Sequence, residues 1–170
     1  MVLLIVDPQV DFVSGSLAVE GAPKAMKALA EYMAAHRKEI KSIVVTMDQH
    51  PADHCSFVAQ GGQWPSHCVR YTVGAAIEPC IAEALAACSA EGIPVEMIEK
   101  ATTQERDAYS AFETEVPDSL RSTERIVVAG IAGDYCVRQS VLDLERHGLG
   151  ERIELLKEGI AYIAEEENRP

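Results

Sequence analysis

Residues 2–6 read VLLIV, five consecutive apolar residues near the start of the chain. A strand with one face in water alternates apolar and polar residues, so this unbroken run predicts a strand buried on both faces, as in a parallel sheet. Strand-like segments recur along the chain, namely SIVVTM (42–47), IPVEMI (93–98), RIVVAGI (125–131) and RIELLK (152–157).

Helical patterns separate these predicted strands. One helix is predicted from about Pro23, a second from about Pro79 and a third over residues 134–147. Strands that alternate with helices form a parallel sheet that is covered on both faces. The sequence therefore predicts a three-layer, doubly wound α/β fold, with residues 1–170 as a single domain.

Composition limits the classes of partner. The net charge of −12 over 170 residues argues against nucleic acid and against an anionic membrane surface. No apolar run is long enough to span a bilayer, and VLLIV lacks the length and basic flank of a signal peptide. The three glutamates at 165–167 are interpreted as part of a solvated tail. A small-molecule substrate is the expected partner, and a homo-oligomer stays open.

The five cysteines indicate a reducing compartment. Their number is odd, no two have CxxC spacing, and no secretion signal precedes them. We therefore expect free thiols in a cytoplasmic protein. Cys55 and Cys68 adjoin candidate metal ligands, but packing as small buried hydrophobic residues is the favoured interpretation for both.

Reactive side chains follow the predicted strands. In parallel sheets the ligand site lies beyond the carboxyl ends of the strands, near the point where the strand order reverses. At these ends the chain places, in order, Asp7, Asp48 with His50, Glu99 with Lys100, and Cys136. Alone, Asp7 would suit a turn, Lys100 the surface and Cys136 the core. Together they predict a reactive site at one edge of the sheet.

Cys136 is the candidate nucleophile. Asp134 follows a glycine and precedes a helical pattern, so it is the expected N-cap and Cys136 would lie in the first helical turn. There the helix dipole and a nearby Lys100 favour a thiolate. Asp7 could take the thiol proton and return it to a leaving amine, while backbone N–H groups of the turn stabilise an oxyanion. This arrangement predicts acyl transfer from an amide.

The segment TMDQHPADHC (46–55) holds a carboxylate and two imidazoles, Asp48, His50 and His54. Taken alone it is a weak metal signal, and a polar loop is the plainer interpretation of each residue. Whether His54 binds a metal or only forms hydrogen bonds within the loop stays open.

Several separated motifs carry a family resemblance. The segments LLIVDPQVDF, DQHPADHCSF, WPSHCV, YSAF and AGIAGDYCV occur in this order, and together they resemble the nicotinamidases within the isochorismatase-like cysteine hydrolases. The resemblance spans nearly the whole chain and implies an isochorismatase-like fold. The chain departs from the family at Val10, where asparagine is usual, and at Ala101, where a glycine commonly follows the lysine.

The resemblance implies a role for each matching residue. The implied catalytic residues are Asp7, Lys100 and Cys136. The implied oxyanion hole uses Ala132 and Cys136, with a cis peptide bond between Ile131 and Ala132. The implied metal ligands are Asp48, His50 and His67, a set that suits zinc and also manganese or iron(II). The implied substrate-binding residues are Phe12 and Trp64, and Tyr109 either lines the pocket or fixes the loop after the lysine.

The implied reaction is hydrolysis of nicotinamide to nicotinate and ammonia, through a cysteine thioester, for NAD salvage. One alternative is a metal-free cysteine hydrolase of another small amide or a carbamoyl substrate, which would not need the metal ligands. The other is a catalytically silent binding protein on the same fold. The presence of all three implied catalytic residues argues against this second alternative.

Overall fold

A five-stranded parallel sheet forms the centre of the computed structural model, which describes residues 1–163. The strands are, in chain order, β1 (Val2–Val6), β2 (Ser42–Asp48), β3 (Val95–Lys100), β4 (Ile126–Ile131) and β5 (Ile153–Ala161). They lie in the order β3-β2-β1-β4-β5, and every neighbouring pair is parallel. The predicted parallel sheet is confirmed.

Helices cover both faces of this sheet. They are α1 (Val10–Val13), α2 (Ala22–Ala35), α3 (Pro79–Ala90), α4 (Asp118–Ser122) and α5 (Cys136–Arg146). Leu3 and Ile5 of β1 pack in one core with α2 and α3. The alternate residues Val2, Leu4 and Val6 pack in a second core with α4 and α5. Because successive side chains of a strand point to opposite faces, this central strand is buried on both, and three layers result.

The bounds of β3 and β5 differ most from the prediction. β3 begins at Val95 and not at residue 93, because Pro94 has no N–H group to give to the ladder. β3 also ends at Lys100 and not at residue 98, because its pairing with β2 continues to Asp48 and Lys100. β5 continues to Ala161 and not only to residue 157, because its pairing with β4 resumes after a shift in register.

Helix α5 also begins later than predicted. Asp134 is not its N-cap, since the Asp134 carboxylate accepts the Ile163 N–H at 3.0 Å instead. The Ala132 carbonyl accepts the Val137 N–H at 3.0 Å and closes the turn that leads into the helix. Cys136 is therefore the first residue of α5.

Within residues 1–163, every helix is too short or too polar to cross a bilayer. The five cysteines are free thiols, as predicted. The glutamates at 165–167, predicted to belong to a solvated tail, lie outside the described residues.

Candidate active site

The ends of four strands bring the predicted catalytic residues to one edge of the sheet. Asp7 follows β1, Asp48 ends β2, Lys100 ends β3, and Cys136 begins the helix after β4. Asp48 and Lys100 are direct partners in the β2–β3 register. β1 pairs with both β2 and β4, so the strand order reverses around it, which is where ligand sites of such sheets lie.

The Lys100 ammonium is the centre of this cluster. Its Nζ lies 2.9 Å from Asp7 Oδ2, 2.5 Å from Asp48 Oδ1 and 3.6 Å from Cys136 Sγ. Burial disfavours the charged form, but the two carboxylates outweigh it and raise the pKa of Lys100 well above its ordinary value. Lys100 therefore places a permanent positive charge against the thiol.

Asp7 is fully buried beside this ammonium. Its Oδ1 accepts the Thr46 hydroxyl at 2.7 Å, while Oδ2 forms the ion pair with Lys100. Burial raises the pKa of Asp7 above its ordinary value, although the ammonium lowers it in part. A carboxylate with a raised pKa is a stronger base, which suits proton exchange with a neighbouring thiol.

The surroundings of the Cys136 thiol oppose the thiolate that a helix start favours. Its Sγ, one oxygen of Asp7 and one oxygen of Asp48 all lie within 4.8 Å of one another. Burial raises the pKa of Cys136 well above its ordinary value; the Lys100 ammonium lowers it in part, and both carboxylates raise it further. A base that accepts the thiol proton would therefore assist attack by this sulfur.

Asp48, His50 and His67 form a buried group that could hold a metal ion, with one ligand atom of each within 4.8 Å of the others. Nδ1 of His50 lies 3.1 Å from the Ala101 carbonyl oxygen, and Nδ1 of His67 lies 2.7 Å from the Pro65 carbonyl oxygen. A carbonyl can only accept, so each Nδ1 carries the proton. Both rings thus keep the Nε2 lone pair for a metal, the usual arrangement of ligating histidines.

Asp48 belongs both to this group of three possible metal ligands, called the metal-type group below, and to the cluster around Lys100. Its Oδ1 contacts Lys100, and its Oδ2 lies 3.6 Å from His50 Nε2. Burial opposes its ionisation, but the Lys100 ammonium outweighs burial and holds the pKa of Asp48 well below its ordinary range. Burial lowers the pKa of His67, which favours its neutral imidazole. An ionised carboxylate with neutral imidazole suits zinc, manganese and iron(II).

His54 lies beside this group without joining it. Its ring stacks on His50 with the centroids 4.0 Å apart. The Ser56 N–H donates to Nδ1 at 3.3 Å, and Nε2 donates to the Arg106 carbonyl at 3.1 Å. Since both ring nitrogens are used within the protein, the geometry favours the loop-bonding alternative. Among the described residues, the group of possible metal ligands formed by Asp48, His50 and His67 also leaves out Cys55 and Cys68.

A pocket opens above the thiol and the metal-type group. The predicted residues Phe12, Trp64 and Tyr109 line it, and so do four that were not predicted, Leu17, Asp107, Tyr135 and Ile163. Trp64 meets the edge of Tyr135 with the ring centroids 5.1 Å apart, and its Nε1 donates to the Tyr109 hydroxyl at 3.1 Å. These aromatic side chains form a wall against which a flat ring could pack.

Ala132 and Cys136 also line the pocket. Among the described residues, neither backbone N–H donates a hydrogen bond to another group. The peptide bond between Ile131 and Ala132 is cis, as the resemblance implied. Unpaired N–H groups next to a nucleophile are what an oxyanion hole requires.

Gln9 and Asp11 support the site and were not predicted. Gln9 is fully buried; it donates to the Asp48 and Ala75 carbonyls at 2.7 and 2.9 Å and accepts the Asp48 N–H at 2.8 Å. Asp11 accepts the Cys68 N–H at 2.7 Å, directly after the histidine of the metal-type group. The available signal was the polar residue at every second position of DPQVDF (7–12).

Residues 1–166 match the isochorismatase domain family. The nicotinamidase/pyrazinamidase of Mycobacterium tuberculosis is 36% identical over 163 residues, which cover 89% of this chain and 82% of that protein. The pyrazinamidase of Pyrococcus horikoshii in complex with zinc superimposes with a TM-score of 0.78 at 32% identity, covering 97% of this chain and 88% of that one. PnC1 from L. infantum in complex with nicotinate gives a TM-score of 0.78 at 32% identity, covering 96% and 82%. The chain therefore belongs to the isochorismatase domain family.

Proposed function

We propose that this protein is a metal-dependent amidase that hydrolyses nicotinamide to nicotinate and ammonia, in the service of NAD salvage in the cytoplasm. The observation that carries the proposal is the contact of one buried ammonium, that of Lys100, with Asp7, Asp48 and Cys136. Through these contacts the ammonium brings together the proposed nucleophile, the proposed base and one member of the metal-type group. Cys136 and the metal-type group line the same pocket. The names of the relatives support the substrate, since they are nicotinamidases, and solved relatives hold zinc or nicotinate.

In the first half of the reaction, Cys136 Sγ attacks the carboxamide carbon while Asp7 accepts the thiol proton. The raised pKa of Asp7 suits this transfer, since the pKa of the Cys136 thiol is raised as well. The electron pair of the C=O bond moves to the oxygen, where the N–H groups of Ala132 and Cys136 stabilise it. Lys100 offsets the negative charge that develops on the sulfur.

The tetrahedral intermediate collapses when Asp7 gives its proton to the amide nitrogen and ammonia leaves. The carbonyl carbon is then bonded to Cys136 as a thioester. Water attacks this carbon, Asp7 takes the water proton, and the same proton returns to the departing sulfur. One amide and one water thus yield one carboxylic acid and one ammonia, and the thiol is restored.

Asp48, His50 and His67 would hold the divalent metal, for which we propose zinc; manganese and iron(II) accept the same donors. The fit rests on the ionised carboxylate and on the carbonyl groups that direct both Nε2 atoms toward the site. When bound, the metal supplies a Lewis acid that coordinates the pyridine nitrogen and orients the ring. The aromatic residues of the pocket would enclose that ring.

Ammonia release from nicotinamide by the purified protein tests this proposal, before chelation, after chelation and after zinc is restored. We expect turnover that chelation abolishes and zinc recovers. A parallel assay with an N-carbamoyl substrate examines the alternative chemistry of this fold. Turnover of the carbamoyl compound with none of nicotinamide would contradict the proposal, and so would full activity of the metal-free protein.

A further inference from the structure

Asp107 is a charged side chain of the pocket that the mechanism above does not use. It lines the same pocket as Cys136 and Tyr109, but it is exposed, whereas Asp48 is buried. Its Oδ1 accepts the Ala108 N–H at 2.9 Å. A negative charge therefore lies at the exposed part of the pocket lining.

The loop that carries Asp107 is anchored on both sides of this residue. The Arg106 carbonyl accepts from His54 Nε2 at 3.1 Å, and the Ala108 carbonyl accepts from Lys100 Nζ at 3.1 Å. The Arg106 guanidinium pairs with Glu113 and not with Asp107. The carboxylate is thus held at the pocket, and its neighbouring cation is engaged elsewhere.

Substrate and product of the proposed reaction differ in charge. Nicotinamide is neutral, whereas nicotinate carries a carboxylate at neutral pH. The buried part of the site holds the carboxylates of Asp7 and Asp48 together with the Lys100 ammonium and, in the proposed function, a divalent cation. A further carboxylate at the opening changes little for a neutral amide, but it repels an anion.

We propose that Asp107 is a specificity-determining residue that disfavours ligands bearing a carboxylate. It would hasten the loss of nicotinate and would oppose entry of acidic amides such as N-carbamoyl amino acids. This inference rests on the proposed function.

The test is the dissociation constant of nicotinamide and of nicotinate, measured by calorimetry on zinc-loaded Cys136→Ala protein, which turns over neither ligand. The measured quantity is the ratio of the nicotinate constant to the nicotinamide constant. Adding Asp107→Asn should lower this ratio about three- to fivefold, the scale of an exposed charge interaction. Asp107→Lys should lower it further, because attraction replaces repulsion.

Glu105→Gln is the matched control, since Glu105 is an exposed carboxylate of the same loop that lies outside the pocket lining. It should leave the ratio unchanged. Added salt should lower the ratio in the Cys136→Ala parent but not in its Asp107→Asn derivative.

An unchanged ratio in both Asp107 variants, with both ligands still bound, would overturn this inference and leave the proposed function intact. Failure of nicotinamide to bind the Cys136→Ala parent would overturn the proposed function, and the inference with it.

Discussion

Replacing Lys100 with methionine would remove the ammonium while keeping most of the length of the side chain. In the structure this ammonium lies 2.9 Å from Asp7 and 2.5 Å from Asp48, and both carboxylates are buried. Removing one partner of a buried ion pair costs about 3–5 kcal/mol, because the charge left behind is uncompensated. We expect the free energy of unfolding to fall by this amount, which is roughly 6–20 °C in the unfolding midpoint of a chain this size.

Denaturant unfolding of chelator-treated protein at neutral pH would measure this loss, together with ammonia release from nicotinamide by the zinc-loaded form. Turnover should fall steeply in Lys100→Met. Lys100→Arg should recover only part of the stability, because a planar guanidinium does not fit where a compact ammonium is fully enclosed. Lys41→Met, at an exposed lysine, is the control and should leave stability and turnover near those of the parent protein.

The destabilisation should also depend on pH. The folded pKa of Asp48 lies below its ordinary value of 3.8, so its stabilising contribution is present above that value and is lost as the pH falls through the folded pKa. Without the ammonium, the unpaired carboxylates of the variant should take up protons at higher pH than those of the parent. The difference in stability should therefore be largest at neutral pH and shrink in acid. Parent-like stability and turnover in Lys100→Met would refute the central role of the ammonium.

Cys136→Ala should reduce ammonia release by several orders of magnitude while circular dichroism and zinc content stay unchanged, because only the covalent route is removed; activity near that of the parent would exclude Cys136 as the nucleophile. His67→Ala should lose its metal during purification, as measured by elemental analysis, and full zinc occupancy would show that His67 is not a ligand. Ala101→Gly should raise the free energy of unfolding by about 0.5–1 kcal/mol, since Ala101 adopts φ 50°, a conformation that costs residues with a Cβ and favours glycine. Denaturant unfolding would measure this gain, and a decrease would contradict the assignment of strain to that position.

The fold could be predicted because its signals are local. An unbroken run such as VLLIV needs apolar contacts on both faces, and this requirement holds wherever the strand lies in the sheet. The boundaries were less accurate because they depend on contacts with distant residues. β5 continues because of its pairing with β4. Asp134 does not cap α5 because its carboxylate accepts the Ile163 N–H instead. Neither partner is close in sequence.

The residues of the candidate site differ in how well the sequence predicted them. Asp7, Asp48, Lys100 and Cys136 follow from topology alone, since parallel strands deliver their carboxyl ends to one edge. His67 belongs to a long loop without periodicity, so only the resemblance indicated it. Residues whose side chains bond to backbone groups of the site gave little signal in the sequence. Gln9 bonds both the N–H and the carbonyl of Asp48, and its only signal was the alternation of polar residues in DPQVDF, which does not specify that role.

The pKa of Cys136 shows which kind of influence cannot be read from the sequence. A helix start and a lysine are both visible in the sequence, and both favour a thiolate. Burial and the two carboxylates act against them, and their effect depends on how deeply the strand ends lie, which only the packed structure determines. The same packing raises the pKa of Asp7 and brings it within reach of the thiol. The raised pKa of the thiol and that of the neighbouring carboxylate together favour a nucleophile that is generated by proton transfer to Asp7 at the moment of attack.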